Sequence, residues 1–127
     1  MGLEFDLINL DKEELISFSG IGIGTKLREL SGMIVAGNIV NWYLLHNIGD
    51  RISFINDTDD AQVLFGGTYN ISDFFSFRDV TMRIIDELVE AEILQITGSR
   101  IIDEEEDISA LILKNIWDPA LTGNNYF

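Results

Sequence analysis

The chain has 127 residues, a length that suits one domain with a core large enough to be stable without disulfides or a structural metal. Hydrophobic residues make up 46% of it, which excludes a disordered acidic tail, and the lack of cysteine excludes disulfides and thiolate metal sites. The formal net charge of −14 argues against direct binding to nucleic acid or an anionic membrane and favours basic partners. We expect residues 1–127 to form a single domain, with a short C-terminal tail from about residue 120.

The N-terminal segment predicts a strand followed by a short helix. Apolar and acidic residues alternate from Leu3 to Leu7, the period of a half-buried strand, which we place at about 3–9. Asp11, with Glu14 three residues on, is typical of an N-cap pair and predicts a helix over about 12–18.

A glycine-rich run follows from Ser19 to Lys26. Its three alternating glycines suggest a phosphate-binding loop, but the dinucleotide pattern needs glycine where Thr25 stands, and the Walker pattern needs lysine before threonine. A turn whose glycines permit positive φ is the better interpretation, leading into a possible short helix from Lys26 to Leu30.

The longest uncharged stretch of the chain runs from Gly32 to Gly49. Its length favours a buried core helix over about 33–47. A hairpin turning at Gly37-Asn38 is the alternative, and the sequence leaves it open. The single histidine, His46, falls near the predicted helix end, where a helix-dipole partner or a satisfied core residue is more common than a catalyst.

The second half of the chain predicts two hairpins and two helices. Strands at about 51–56 and 61–65 would form one hairpin, and strands at about 93–97 and 100–103 would form another around a Gly98-Ser99 turn. A near capping box, Ser76-x-x-Asp79, would open a helix over about 77–92. The acidic run before residue 108 and Pro119 after residue 117 would bound a last helix over about 108–117. The predicted fold class is therefore α+β.

The sequence contains no recognisable catalytic or cofactor motif. A calcium loop is conceivable at Asp57–Asp60, but Ala61 and Gln62 stand where the EF-hand needs an acid or amide and a glycine. We therefore expect neither enzymatic activity, nor a metal site, nor a cofactor.

Two acidic clusters are the candidate binding residues, one in the loop after residue 56 and one in the run before residue 108. Acidic surfaces of this kind speed association with basic proteins and add specificity. Nuclease domains are such partners, because their substrate is polyanionic. The predicted partner-binding residues are Asp57, Asp59, Asp60, Asp103, Glu104, Glu105, Glu106 and Asp107.

The first dozen residues resemble the start of the cloacin-type bacteriocin immunity proteins. The similarity lies in Met1-Gly2-Leu3, in Asp6-Leu7 within an alternating strand, and in Asp11-Lys12. The resemblance implies a small acidic bacterial protein that binds a ribonuclease-type toxin and neutralises it. The acidic N-terminus lacks the pattern of a secretory signal, so we expect a cytoplasmic location.

Two other functions are compatible with the same composition. One is a phage-type anti-defence protein whose carboxylates mimic nucleic acid. The other is a structural or assembly subunit, in which the aromatic segment 68–77 and the C-terminal aromatic residues form an apolar patch. The sequence leaves the oligomeric state and the identity of the partner undetermined.

Overall fold

The computed structural model describes residues 3–103 and 108–117, and it confirms an α+β domain. In this part of the chain the α-helices α1 to α3 span Leu27–Gly32, Ile34–His46 and Thr81–Glu90. The strands β1 to β8 span Phe5–Asn9, Glu14–Ser17, Ile52–Asn56, Ala61–Leu64, Gly67–Asn70, Arg78–Asp79, Leu94–Asp103 and Ile108–Asn115. A 3₁₀ helix covers Ile71–Phe74.

The main sheet has four strands in the order β3-β1-β2-β6. Strand β1 is antiparallel to both of its neighbours, whereas the short β6 is parallel to β2. Strands β4 and β5 form a separate two-stranded ladder, and so do β7 and β8. The earliest strand of the chain therefore lies inside the main sheet, with partners on both sides.

Hydrophobic side chains cover both faces of the main sheet. Leu7 and Ile8 are neighbours on β1 but point to opposite faces, as successive strand residues do. Leu7 belongs to a large core built with α2, α3 and the β7–β8 hairpin. Ile8 belongs to a smaller core with Ile55, Leu64 and Phe74, beneath the β4–β5 hairpin and the 3₁₀ helix.

Helix α2 confirms the helical interpretation of the uncharged stretch, and the Gly37-Asn38 hairpin is wrong. The face that packs into the large core consists of Val35, Ala36, Ile39 and Tyr43, each at most 1% exposed. Their spacing of one, three and four residues is that of one side of a helix.

The helix predicted at 12–18 is wrong, because this segment is strand β2. Its start is a turn in which the Asn9 side chain accepts hydrogen bonds from the backbone N–H groups of Asp11 and Lys12. This local bond offers the backbone an alternative to a helix capped by Asp11. Leu15 and Ile16 then pack on opposite faces of the sheet.

The helix predicted at 108–117 is also wrong, since these residues form strand β8, which pairs with β7. Strand β7 is in turn continuous across Gly98-Ser99, where a hairpin turn was expected. The register shifts between Ile96 and Gly98, so the glycine marks a bulge within a long strand. Pairing with the preceding strand β7 has overridden the local helical pattern.

The strands predicted at 51–56 and 61–65 are confirmed, but the hairpin between them is wrong because they do not pair with each other. Strand β3 pairs with β1, and β4 pairs with β5 instead. The β4–β5 turn consists of Phe65 and Gly66, both with positive φ, as a two-residue type I′ turn requires.

The predicted helix at 77–92 is confirmed as α3, but it begins later than expected. Arg78 and Asp79 pair with β2 before the helix starts. The Asp79 carboxylate then accepts hydrogen bonds from the backbone N–H and the hydroxyl of Thr81, at 2.9 and 2.6 Å. Asp79 thus satisfies the first free N–H of the helix directly, and Ser76 takes no part.

Candidate functional site

An open groove of about 430 Å³ lies on the sheet face that carries the smaller core. Its apolar wall is formed by Ile55, Ile71 and Phe75, and Phe75 is 77% exposed. The lining, all within the described residues, contains no lysine or arginine. We call it the acidic groove, and its polar lining consists of Glu4, Asp6, Ser17, Ser19, Thr25, Asn56 and Asp57.

The register of the sheet brings the three carboxylates together. Glu4 and Asp6 are two residues apart and therefore point to the same face. Across the antiparallel pairing, Asp57 reaches Glu4: the Glu4 N–H donates to Asp57 Oδ1 at 3.0 Å, and the Asp57 N–H donates to the Glu4 carbonyl at 3.0 Å. The Thr25 hydroxyl donates to Glu4 Oε1 at 3.1 Å. The carboxylates are thus fixed by the backbone pairing of β1 and β3.

A second depression of about 400 Å³ extends the acidic groove across the end of β2. It shares Ser17 and Ser19 with the groove and adds Asp79 and Thr81 to the polar lining. The negative charge of Asp79 raises the pKa of Asp6. The two depressions therefore form one negatively charged surface.

The surroundings of Asp6 disfavour the ionised form of its carboxyl. Burial raises its pKa, and the negative charges of Asp79, Asp57 and Glu4 raise it further. A hydrogen bond from Ser17 lowers the pKa and offsets only part of this rise. The groove therefore holds an ionised Asp6 at an energetic cost that a cation would relieve.

Asp57 has the opposite electrostatic setting. The Glu4 backbone N–H, together with other hydrogen bonds to the carboxylate, holds the pKa of Asp57 below its usual range. Asp57 consequently stays ionised through mild acid, so the groove keeps negative charge even where Asp6 is protonated.

The structure brings one of the predicted binding residues, Asp57, into the acidic groove. Asp59 and Asp60 are exposed in the same loop, outside the lining of the groove. The loop is held by Asn56 Oδ1, which accepts from the Thr58 and Asp59 N–H groups at 3.1 and 2.9 Å. Asp103 ends β7, and Glu104, Glu105, Glu106 and Asp107 lie outside the described residues.

Sequence reasoning missed Glu4, Asp6 and Asp79 as members of the site. The alternation along β1 assigned Glu4 and Asp6 to a solvent face. The signal that could have found them is the adjacent pair Leu7-Ile8, since two consecutive apolar residues indicate a strand covered on both faces. Asp6 is two residues from Ile8 and lies on the same face of β1, at the edge of the part that other side chains cover.

The other candidate residues are engaged in structural contacts. His46 Nδ1 lies 2.8 Å from the Trp42 carbonyl oxygen, and the two rings stack with centroids 4.3 Å apart. Among the described residues, no group of three or more His, Asp or Glu side chains is arranged to hold a metal ion. The described helices include none with the length and hydropathy to cross a membrane.

No protein-family model matches the chain, no curated protein matches it, and no solved structure matches it. Inference about its function therefore rests on the charge and the shape of the acidic groove.

Proposed function

We propose that the protein binds a basic protein partner through the acidic groove, and that it acts as an immunity protein neutralising a nuclease-type toxin. The observation that carries this proposal is Asp6, a part-buried carboxylate beside Glu4, Asp57 and Asp79 in a groove whose lining has no cationic side chain. Like charges held close together favour binding of an opposite charge.

The shape of the groove suits a long cationic side chain from the partner. Its volume of about 430 Å³ lies within the roughly 300–1,000 Å³ range of ligand clefts. The alkyl stem of a lysine or arginine could pack on Ile55 and Ile71, with the charge near Asp6 and Asp57. The exposed ring of Phe75 adds a cation–π partner at the rim.

A nuclease domain is the basic partner that best fits this chemistry, because a protein that binds polyanions carries clustered lysine and arginine. Glu4 and Asp6 also belong to the dozen residues that resemble the cloacin-type immunity proteins. A nucleic-acid mimic, the main alternative, needs carboxylates along an extended surface. The convergence of Glu4, Asp6 and Asp57 on one groove favours an inserted cationic side chain instead.

The test is binding to a candidate nuclease-type toxin domain, chosen where one is encoded next to this gene, measured by calorimetry at low and moderate salt. Asp6→Asn/Asp57→Asn should weaken binding by about tenfold or more. Affinity for the wild type should fall as salt rises.

The matched control is Asp86→Asn/Glu90→Gln, which removes the same net charge from exposed positions on α3. This control should bind nearly as tightly as the wild type. Equal losses for the two pairs would show that only net charge matters and would overturn the assignment to the groove. An unchanged toxin activity in a saturated complex would overturn the immunity role.

A further inference from the structure

The outward side of α2 is an uncharged, largely apolar surface. Opposite the buried face, α2 presents side chains spaced three, four and seven residues apart, and Leu45 among them is 69% exposed. Ile48, two residues beyond the end of α2, extends this surface and is 83% exposed. We call this surface the α2 face, and its members are Ile34, Gly37, Asn41, Leu44, Leu45 and Ile48.

The α2 face continues into a shallow apolar groove of about 320 Å³ beside the free edge of the main sheet. Leu27 from α1 and Phe54 from β3 form its far side, and they are 69% and 38% exposed. Gly37, Val40 and Asn41 of α2 form its near side. Helix face and groove therefore make one continuous surface.

This surface is a continuous apolar patch on a chain that is otherwise strongly acidic. At about 100 Å² for a fully exposed aliphatic side chain, its exposed apolar residues present on the order of 300–400 Å². The largest apolar patch on a typical monomer measures about 300–600 Å² and is often functional, and the α2 face with its groove falls in that range. A standard interface buries about 800 Å² per partner, of which roughly 60% is apolar. The α2 face and its groove supply roughly two-thirds to four-fifths of the apolar area of such an interface.

We infer that the α2 face binds a second copy of this chain, so that the protein is a homodimer with two antiparallel α2 helices. A two-fold axis near Asn41 places Asn41 opposite its own copy, and the carboxamide is both donor and acceptor. The same axis sets Gly37 opposite Leu45 of the second copy, and Ile34 opposite Ile48 of the second copy. The large Leu45 thus meets the small Gly37, which lets the two helices approach closely.

Gly37 leaves room for that contact. A Cβ built at Gly37 would have nothing within 4 Å, so the helix surface is open there. The asparagine at the centre would fix the register of the pair, as a single buried polar residue does in helical dimers.

Charge also favours a second copy over a basic partner at this surface. The segment 33–45 contains no Asp, Glu, Lys, Arg or His, so a cationic partner would gain no ion pair there. Two copies, each with a formal charge of −14, repel one another, and they can approach most easily where carboxylates are absent. The association should therefore strengthen as salt screens this repulsion.

The test is sedimentation equilibrium of the full chain over a range of protein and salt concentrations. The wild type should fit a monomer–dimer equilibrium whose dissociation constant falls as salt rises. Leu45→Glu should weaken the dimer by at least about a hundredfold, since each dimer loses two buried leucines and gains two buried carboxylates.

Val63→Glu is the matched control, because Val63 is 77% exposed on β4 and outside the α2 face. It should dimerise like the wild type. Ile48→Glu, beyond the end of α2, repeats the test at a position where the monomer fold is not at stake, and circular dichroism should show all three variants folded. A wild type that stays monomeric at every concentration, or equal weakening by Val63→Glu, would overturn the proposal.

The homodimer and the binding of a basic partner can fail separately. Asp6→Asn/Asp57→Asn lies outside the α2 face and should not weaken dimerisation. The two associations should also respond to salt in opposite directions.

Discussion

The phenol of Tyr43 on α2 donates a 2.8 Å hydrogen bond to Glu14 Oε1 on β2. Glu14 is 3% exposed and also accepts hydrogen bonds from Arg78 at 2.9 Å and Arg83 at 3.1 Å. Burial alone would raise the pKa of Glu14, but the hydrogen bonds from Arg83, Tyr43 and Arg78 together hold that pKa below its usual value. One ionised carboxylate thus ties β2 to α2, α3 and β6.

Replacing Tyr43 or Glu14 should lower the free energy of unfolding, by different amounts. Tyr43→Phe deletes one donor while Glu14 keeps both arginines, so we expect a loss of about 1 kcal/mol. Glu14→Gln removes the charge and leaves two guanidinium groups without their shared anion, so we expect a loss of about 2–3 kcal/mol, moderated because both arginines reach solvent. Urea denaturation at neutral pH measures both, and a smaller loss for Glu14→Gln than for Tyr43→Phe would contradict this account.

The same carboxylate predicts a pH dependence. Because the pKa of Glu14 is lower in the folded protein than its usual value of 4.5, its contribution to stability is complete above that value. The contribution is lost as the pH falls through the folded pKa. Thermal denaturation should therefore show that wild-type stability falls more steeply than that of Glu14→Gln below about pH 4.5.

Asp6→Asn should stabilise the protein at neutral pH, since it removes a carboxylate that burial and three like charges disfavour. The folded pKa of Asp6 is raised, so the ionised side chain weakens stability above that pKa, and the weakening disappears in acid. We expect a gain below about 1 kcal/mol at pH 7, because solvent still screens the site. Asp86→Asn is the control, and an equal gain there would contradict a local effect.

Gln62 protects the free edge of the main sheet. Its carboxamide accepts from the Asn56 N–H at 3.4 Å and donates to the Asn56 and Asp59 carbonyl oxygens at 3.1 and 2.7 Å. Gln62→Ala would leave these backbone groups unpaired, so we expect a loss of about 1–3 kcal/mol and more self-association. Gln95→Ala, at an exposed position on β7, should change stability little. Calorimetry and light scattering distinguish the two variants.

Gly24 has a conformation that other residues adopt only with strain. Its φ is +92°, and an added Cβ would lie 2.6 Å from Glu29 Cγ. Gly24→Ala should therefore lower stability by about 1–3 kcal/mol. Gly20→Ala, where a Cβ meets nothing within 4 Å, is the control and should have little effect. If chemical denaturation showed the same loss of stability for Gly24→Ala and Gly20→Ala, the strain assigned to position 24 would be contradicted.

Sequence patterns predicted the parts of the fold that local interactions determine. Helix α2 follows from the length of the uncharged apolar stretch, and α3 follows from its apolar periodicity. The fold class follows from their mixture with short β-rich runs. The same reasoning failed for β2 and β8, where a local helical signal competes with pairing to the preceding strand. Pairing of β1 with β3, across the whole of α1 and α2, has no local signature.

The candidate site was only partly predictable for the same reason. Asp57 was identified because acids in a loop are visible in sequence. Asp6 was not, because its neighbours Asp57 and Asp79 are more than fifty residues away along the chain and come close only through strand pairing. Composition can predict the charge of a surface, but not which carboxylates share a groove.

The inner position of β1 has a consequence for folding during synthesis. The β1–β2 hairpin leaves the ribosome before the other described elements, yet a lone two-stranded hairpin is marginally stable in water. Its partner β3 is complete only at Asn56, and β6 follows at Asp79. At roughly 5–20 residues per second, the hairpin waits several seconds with both apolar faces uncovered. We therefore expect slow or truncated translation to lower the yield of folded protein. The loss should come from aggregation of nascent chains rather than from unfolding of the finished protein.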